Sequence, residues 1–453
     1  MTHTSLPKYQ GYWWLPDDPE KIVPGTLNFD PDEGARLDLL GSLKGARAED
    51  IGTMIDPKLI LGESAEGKLI TLQDCGETES KGSVGSGFAT SSLYAGIVFV
   101  GEHFQRPDDV GFERLFVEYL HLDAWAGVSG FEIKLPVDET HPLSVEYKSP
   151  ERRTATVGDE FEVTLSFNAD VRASTSPLVT ETTITQRAVL AIEFPEKKPL
   201  EHLQGIAYRL QHFLSLGTRK SVYPVALWGK TGPKGEAKPV QVNYRSVARR
   251  GADDKTPTPR DMLFGLRDLP EGFGPTVEWW LERAEVLDPV YQLYLGTIYN
   301  PQSYLDQRFL NLVQALEVYH RRAMTSSDLP EEKHEKRKDE ILEAVPEKHK
   351  RWLERKLKYS NEPTLAERLR EIFGRYPESI SLIIGKSKKA KANFIDKVVA
   401  SRNYLTHFDQ SLEAKAAQGE GLYPITQKLR LLIEICLLGE IGFEAERIRD
   451  LIK

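Results

Sequence analysis

The chain has 453 residues, of which 40% are hydrophobic and 28% are charged. This composition is typical of globular proteins and excludes collagen-like, mucin-like and wholly disordered classes, and the length allows about two or three domains. The formal net charge of −9 is unevenly divided, because residues 301–453 carry a net +4 and residues 1–300 a net −13. The negative net charge of the whole chain argues against a protein that binds nucleic acid non-specifically over its surface. The excess of basic residues near one end is compatible with a local phosphate-binding site.

The first half of the chain is predicted to consist mostly of strands and turns. Val, Ile, Thr, Phe and Tyr are enriched in short segments that Gly, Pro and Asp clusters separate, and residues 161–167 alternate with period two. The predicted strands are Leu37–Leu40, Lys68–Leu72, Ala95–Val100, Arg114–Leu122, Glu160–Phe167 and Thr183–Ile192. Residues 200–217 have helical spacing, and residues 221–275 return to short strands and loops.

From about residue 275 the hydrophobic period becomes helical. Four or five helices are predicted, and together they indicate a helical bundle. They cover Ser303 to Ala323, the charged stretch Ser326 to Lys358, a short helix after Pro363, a helix after the lysine-rich segment 387–391, and Pro424 to Leu438, with Cys436 in the core. The predicted class is therefore α+β and multidomain, with a β-rich region at residues 1–280 and an all-α bundle at residues 290–453. A break near 145–200, which would divide the first region into two subdomains, is left open.

The segment from Ser401 to His407 carries the candidate chemistry. Arg402 continues the apolar stripe of Ile395 and Val398, and an arginine there needs a reason because burying an unpaired charge is costly. Arg402 and His407 are five residues apart and diverge by about 140° on a regular helix. They converge only if the helix ends or distorts near His407, or if a second copy of the chain supplies half of the site. A cation, the Asn403 amide and an imidazole suit a phosphodiester, with His407 moving a proton and Arg402 stabilising charge on phosphorus.

Arg402-Asn403-x-x-x-His407, late in a penultimate helix, resembles the R-x4–6-H motif of HEPN ribonucleases. The segment from Arg308 to Glu317 resembles the first helix of the ApeA-like HEPN group. Four segments of the first half are similar to the N-terminal domain of ApeA antiphage proteins: Gly11 to Trp14, Pro24 to Leu27, Ile60 to Gly62 and Gly67 to Leu72. The resemblance thus spans most of the chain.

The resemblance implies a metal-independent endoribonuclease of abortive antiphage defence that needs no cofactor. It implies a homodimer through the HEPN bundle, in which the motifs of two protomers form one composite site, and RNA, tRNA in particular, as the target. Arg402, Asn403 and His407 carry over directly as catalytic residues. Glu317 carries over more loosely as a supporting residue, because acidic residues on the first helix can face the site. The β-rich region would then be a sensor that binds a phage-derived trigger.

Each of these interpretations has an alternative. Arg402 and His407 could instead interact with the last carbonyls of their helix, and Glu317 could be a solvated helix residue. Lys386, Lys388, Lys389 and Lys391 could guide RNA towards Arg402, or form an ordinary solvated segment. For the whole protein, the alternative is a non-catalytic HEPN scaffold, or a nucleotide-binding or RNA-binding module with a ligand-sensing N-terminal domain.

Metal binding and membrane insertion are not predicted. The histidines show no paired ligand spacing, and neither Cys75 nor Cys436 has a near partner in sequence, so we expect no zinc site. No apolar run is long enough to span a bilayer, and no signal peptide is recognisable. Two distant cysteines give no disulfide framework, which favours the reducing cytoplasm.

Overall fold

A computed structural model of the chain describes residues 8–44, 54–81, 89–135, 143–173, 181–232, 238–246, 255–324 and 329–453. The chain divides into two compact units. The first comprises Met1–Arg267 with Phe273–Glu278, and the second comprises Asp268–Gly272 with Trp279–Lys453. The first is β-rich and the second is helical, as the sequence predicted.

Twelve strands of the first unit form one sheet, in the order β10-β11-β12-β7-β13-β14-β6-β3-β2-β1-β4-β5, and β8 and β9 pair separately. The strands β10, β11 and β12, between residues 153 and 199, are consecutive members of this sheet. The strands are β1 Lys8–Leu15, β2 Asp18–Asp30, β3 Gly34–Leu39, β4 Leu59–Ser64, β5 Leu69–Lys81, β6 Thr90–Val100, β7 Gly111–Tyr119, β8 Phe131–Lys134, β9 Ser144–Tyr147, β10 Arg153–Val157, β11 Phe161–Ala173, β12 Thr182–Pro199, β13 Pro224–Lys230 and β14 Val240–Tyr244.

One end of this sheet closes on itself. Strand β6 pairs with β5 as well as with β3, so β6, β3, β2, β1, β4 and β5 form an antiparallel ring. The interior is apolar, and fully buried members include Trp13, Leu27, Leu37, Ile60 and Leu72. Leu27 lies opposite Leu37 in the register of β2 and β3, which places both on the inner face.

The predicted strands are present, but several bounds differ. The strand predicted to continue to Leu122 ends at Tyr119, because His121 adopts a left-handed φ of 68° and the helix α1, Leu122–Ala126, begins there. The predicted helix at 200–217 is α2, Leu200–Thr218. Strands β1, β2 and β4 were not predicted, because Gly11, Pro24 and Gly62 interrupt the alternation of apolar and polar residues that identifies a strand.

From Phe273 onwards, the described part of the chain contains helices, turns and loops but no strand. It forms nine helices where four or five were predicted: α3 Phe273–Tyr299, α4 Leu305–Ala323, α5 Glu331–Glu343, α6 Glu347–Leu357, α7 Leu365–Arg375, α8 Pro377–Ile383, α9 Lys388–His407, α10 Leu422–Glu440 and α11 Ala445–Leu451. The short helices α8 and α11 were missed because two turns contain too few apolar repeats to detect. Since α10 and α11 both follow α9, the helix with the candidate motif is the third from last rather than the penultimate one.

Helix α4 is central to the helical unit and packs against α7, α9 and α10. Its buried residues include Phe309, Leu312 and Leu316, as the apolar stripe predicted. Cys436 on α10 is fully buried, which confirms its predicted place in the core, and both cysteines are free thiols. Among the described residues, no helix combines the length and the apolar character that crossing a membrane requires.

Candidate active site

The candidate motif lies in the last two turns of α9. The Ser387 hydroxyl caps the start of the helix by accepting the amide of Ala390 at 3.0 Å. Phe394, Ile395 and Val398 form its buried face. The helix ends at His407, because the next residue, Phe408, has a left-handed φ of 51°. His407 is therefore the last residue of a regular helix, where the side chain is open to solvent.

Arg402 lies at the end of the buried face and is only partly exposed. Its guanidinium is 3.6 Å from the Glu317 carboxylate on α4, and the two side chains are 34% and 27% exposed. The same guanidinium donates a hydrogen bond to the Asn403 amide oxygen at 3.1 Å. The contact between α4 and α9 therefore gives the arginine a counter-charge, which is the condition under which a charge tolerates partial burial. It also brings together three of the residues that the sequence singled out.

His407 is oriented differently from Arg402. Because α9 stays helical through His407, five residues separate the two side chains by about 140° around the helix and by roughly 7.5 Å along its axis. His407 is exposed, and it forms no hydrogen bond within the described part of the chain. One chain thus presents an arginine held against α4 and an imidazole turned away from it. The helix end does not bend the two side chains towards each other.

Asp409 is a neighbour of His407 that the sequence analysis did not identify. Hydrogen bonds from the Ser411 hydroxyl, at 2.7 Å, and the Ser411 amide, at 2.9 Å, lower the pKa of the Asp409 carboxyl, and the charge of His407 contributes to the same shift. Asp409 is therefore an ionised group beside the imidazole at neutral pH. The sequence could have indicated Asp409, because it is an acidic residue two positions after a candidate catalytic histidine.

The loop that follows α9 is attached to the same part of the helix. Ser401 is fully buried, and its hydroxyl donates to the Lys397 carbonyl at 2.7 Å and accepts the Ala417 amide at 2.8 Å. The Lys397 ammonium donates to the Lys415 carbonyl at 2.8 Å. These bonds hold the loop against α9 one residue before Arg402, which limits the motion of the motif.

The lysine-rich segment lies at the other end of α9. Lys386, Lys388 and Lys389 are exposed and Lys391 is partly exposed. Fourteen residues separate Lys388 from Arg402, which is about 21 Å along a helix. Within one chain these lysines therefore do not join Arg402, Asn403 and Glu317. In the described ranges, no three His, Cys, Asp or Glu side chains are grouped so that they could hold a metal ion.

Comparison with known proteins gives two family matches. Residues 8–280 match the family model described as ApeA N-terminal domain 1, and residues 310–447 match the one described as Apea-like HEPN. Searches of curated proteins and of solved structures gave no match. The first matched region covers more than half of the chain, and the second contains α9 together with the part of α4 that carries Glu317.

Proposed function

The chain belongs to the ApeA family, and from this membership we propose that it is a metal-independent endoribonuclease of abortive antiphage defence. Membership itself makes it a HEPN-type antiphage effector, and HEPN domains are in general ribonucleases that commonly dimerise. The proposal adds that this chain cuts RNA, that Arg402, Asn403 and His407 carry out the cut in the cytoplasm, and that two protomers together form the site.

In the proposed reaction, His407 accepts the proton of a ribose 2′-hydroxyl, and the resulting oxygen attacks the adjacent phosphorus. The bond from phosphorus to the 5′-oxygen breaks, and that oxygen takes up a proton from an imidazolium. The products are a 2′,3′-cyclic phosphate and a 5′-hydroxyl. No metal is needed, because the nucleophile belongs to the RNA. Arg402 stabilises the extra negative charge on the phosphoryl oxygens through its planar fork, and Asn403 positions the ribose or the phosphate.

The observation that carries this proposal is the pairing of Arg402 with Glu317 on a helix that ends at an exposed histidine, His407. Glu317 and Asn403 hold the guanidinium while a third of the Arg402 side chain stays accessible, as a preorganised phosphate ligand requires. The His407 imidazole has no competing hydrogen bond within the described ranges, and the Asp409 carboxylate is a negatively charged neighbour. Because Arg402 and His407 diverge in one chain, we place the composite site where two copies of α9 meet around a two-fold axis.

The substrate we propose is a structured RNA such as tRNA. Four lysines at the start of α9 oppose the helix dipole, so helix stability does not explain them. In a dimer they are available to hold phosphates that lie away from the cut. The prediction is that charge reversal of these lysines weakens RNA binding without abolishing cleavage chemistry.

The β-rich unit is proposed as the sensor of a phage-derived trigger. It contains a cavity of about 790 Å³ in which carboxylates outnumber the single cation, Arg114, and the rings of Phe161 and Phe194 add apolar surface; the carboxylates include Glu113, Asp159, Glu160 and Glu162. Such a lining suits a cationic group. The test is a truncated chain that begins at residue 268, which leaves α3 intact. If it is no more toxic than the full chain and equally responsive to phage, the sensor role fails.

The ribonuclease proposal is tested by expressing the wild-type chain, His407→Ala and, as a matched control, His202→Ala. His202 is an exposed histidine on α2, remote in sequence from the motif. Sequencing of RNA ends should reveal 2′,3′-cyclic phosphates in cells with the wild-type and control chains, and none with His407→Ala. Equal RNA damage from all three chains would refute the assignment. RNA binding without any cleavage would favour the non-catalytic alternative.

A further inference from the structure

Helices α5 and α6 form a hairpin, which we call the arm, residues 329–361, between α4 and α7. Its base is fastened by the side chain of Asn361, which accepts the amide of Leu329 at 2.9 Å and donates to the carbonyl of Leu329 at 3.0 Å. The adjoining Glu362 accepts hydrogen bonds from Arg321, on α4, and from Arg368, on α7. The arm is therefore tied to the two helices from which it emerges.

One side of α6 faces α5. Helices α5 and α6 contact each other, and Lys350, Leu353 and Leu357 are the least exposed residues of α6. Leu353 and Leu357 are partly exposed, and no residue of α6 is buried. A helix of eleven residues that buries nothing gains little from packing. The residue types on the side of α6 that faces away from α5 are consequently not explained by a contribution to folding stability.

The other side of α6 combines an exposed aromatic ring with positive charge. Trp352 is 56% exposed and lies about 100° and 140° around the helix from Leu353 and Leu357, so its indole is on the side away from these two partly buried residues. Lys348 and Lys356 lie within about 40° of Trp352, and Arg355 within about 60°. All three are exposed, and α6 as a whole has five Lys or Arg against two Glu.

We propose that this face of the arm, Lys348, Trp352, Arg355 and Lys356, binds the substrate RNA away from the cut. Cations in a row along one helix face neutralise backbone phosphates, and an exposed indole stacks on an unpaired base. The proposal rests on the ribonuclease function above, and it adds a second contact that favours long, folded RNA over short fragments.

An anionic membrane is the other partner that a basic helix suggests. Membrane-surface helices need a broad apolar face that enters the lipid. The outer face of α6 offers a single apolar side chain, Trp352, while Leu353 and Leu357 lie on the side towards α5. The outer face of α6 thus has the positive charge that binds phosphate but lacks the apolar surface that enters a membrane, so RNA is favoured over a membrane as its partner.

The experiment uses the full chain with three sets of changes. The arm variant is Lys348→Glu, Arg355→Glu and Lys356→Glu. The charge control is Lys148→Glu, Arg152→Glu and Arg153→Glu, which alters three exposed cations of the β-rich unit by the same amount. The stacking pair is Trp352→Ala and Trp352→Phe. Binding of folded tRNA is measured across salt concentrations with variants that also carry His407→Ala. Cleavage of tRNA and of a short single-stranded oligonucleotide is measured with variants that keep His407.

For the arm variant, the slope of log affinity against log salt should fall by about 2 to 3, since each lost phosphate contact removes about 0.7–0.9. Trp352→Ala should weaken tRNA binding by about tenfold, and Trp352→Phe should restore most of it. The ratio of kcat/KM for tRNA over that for the oligonucleotide should fall in the arm variant and stay constant in the charge control. Circular dichroism checks that α6 remains helical.

If the arm variant binds tRNA with the affinity and salt dependence of the wild-type chain, this inference is wrong. It is also wrong if the wild-type chain binds anionic vesicles but does not bind tRNA. If the wild-type chain cleaves no RNA but binding still depends on the arm, the proposed ribonuclease fails while the RNA contact stands. If the wild-type chain cleaves both substrates and the arm variant keeps the same preference, only the arm inference fails.

Discussion

A composite site shared by two protomers predicts an unusual pattern of complementation. In the chain, Arg402 is held at 3.6 Å from Glu317, while His407 lies about 140° around α9 and roughly 7.5 Å further along. If Arg402 of one protomer works with His407 of the other, a mixed dimer of Arg402→Ala and His407→Ala retains one of the two intact Arg402–His407 pairs in the composite site. Each single-variant homodimer should lose about a hundredfold or more in kcat, because a proton-transfer group or a charge-stabilising group is missing. The mixed dimer should recover about half of wild-type activity.

The assay needs dimers of defined composition. Two tags on co-expressed chains allow tandem purification of mixed dimers, and cleavage of a fluorescent oligonucleotide then gives kcat. The matched control pairs a wild-type chain with the double variant Arg402→Ala and His407→Ala. A shared site predicts that this control is inactive, since each Arg402–His407 pair lacks one group. An inactive mixed dimer together with a half-active control would place both residues in one chain and refute the reasoning.

Three further outcomes are expected. Glu317→Gln should change the free energy of unfolding by at most about 0.5 kcal/mol, because the ion pair is partly exposed. It should nevertheless lower kcat by about tenfold, because Arg402 loses its orientation, and an unchanged kcat in Glu317→Gln would argue against this positioning role. Ser401→Ala removes the buried acceptor of the Ala417 amide. Urea unfolding should therefore show a free energy of unfolding that is lower by about 1–3 kcal/mol, and hydrogen exchange at that amide should be faster. Burial lowers the pKa of His212 to about 4. As the pH falls, this histidine is therefore protonated in the unfolded chain before it is protonated in the folded chain. The free energy of unfolding should consequently fall by roughly 3 kcal/mol between pH 6.5 and 4. His212→Gln should abolish that part of the acid sensitivity in urea titrations, and an unchanged pH profile would contradict the assignment.

Local patterns were enough to predict most of the helical unit. The stripe of Phe309, Leu312 and Leu316 predicted α4, and the stripe of Ile395 and Val398 predicted α9, because helical periodicity is encoded within a few residues. The same stripe drew attention to Arg402, whose charge on an apolar face required a partner. The sequence did not identify that partner from spacing, since Glu317 and Arg402 are 85 positions apart.

Two features depended on tertiary structure. The ring of six strands closes only because β5 pairs with β6 as well as with β4, and a pairing choice of this kind leaves no trace in the alternation of either strand. The orientation of His407 relative to Arg402 depends on where α9 stops, which the left-handed Phe408 decides together with a loop fastened through Ser401. Hydrophobic period and residue type are local properties, so the sequence by itself determined the two classes of structure and which side chains are candidates for the site. Which of those side chains meet is a matter of packing between distant segments, and this only the folded structure decided.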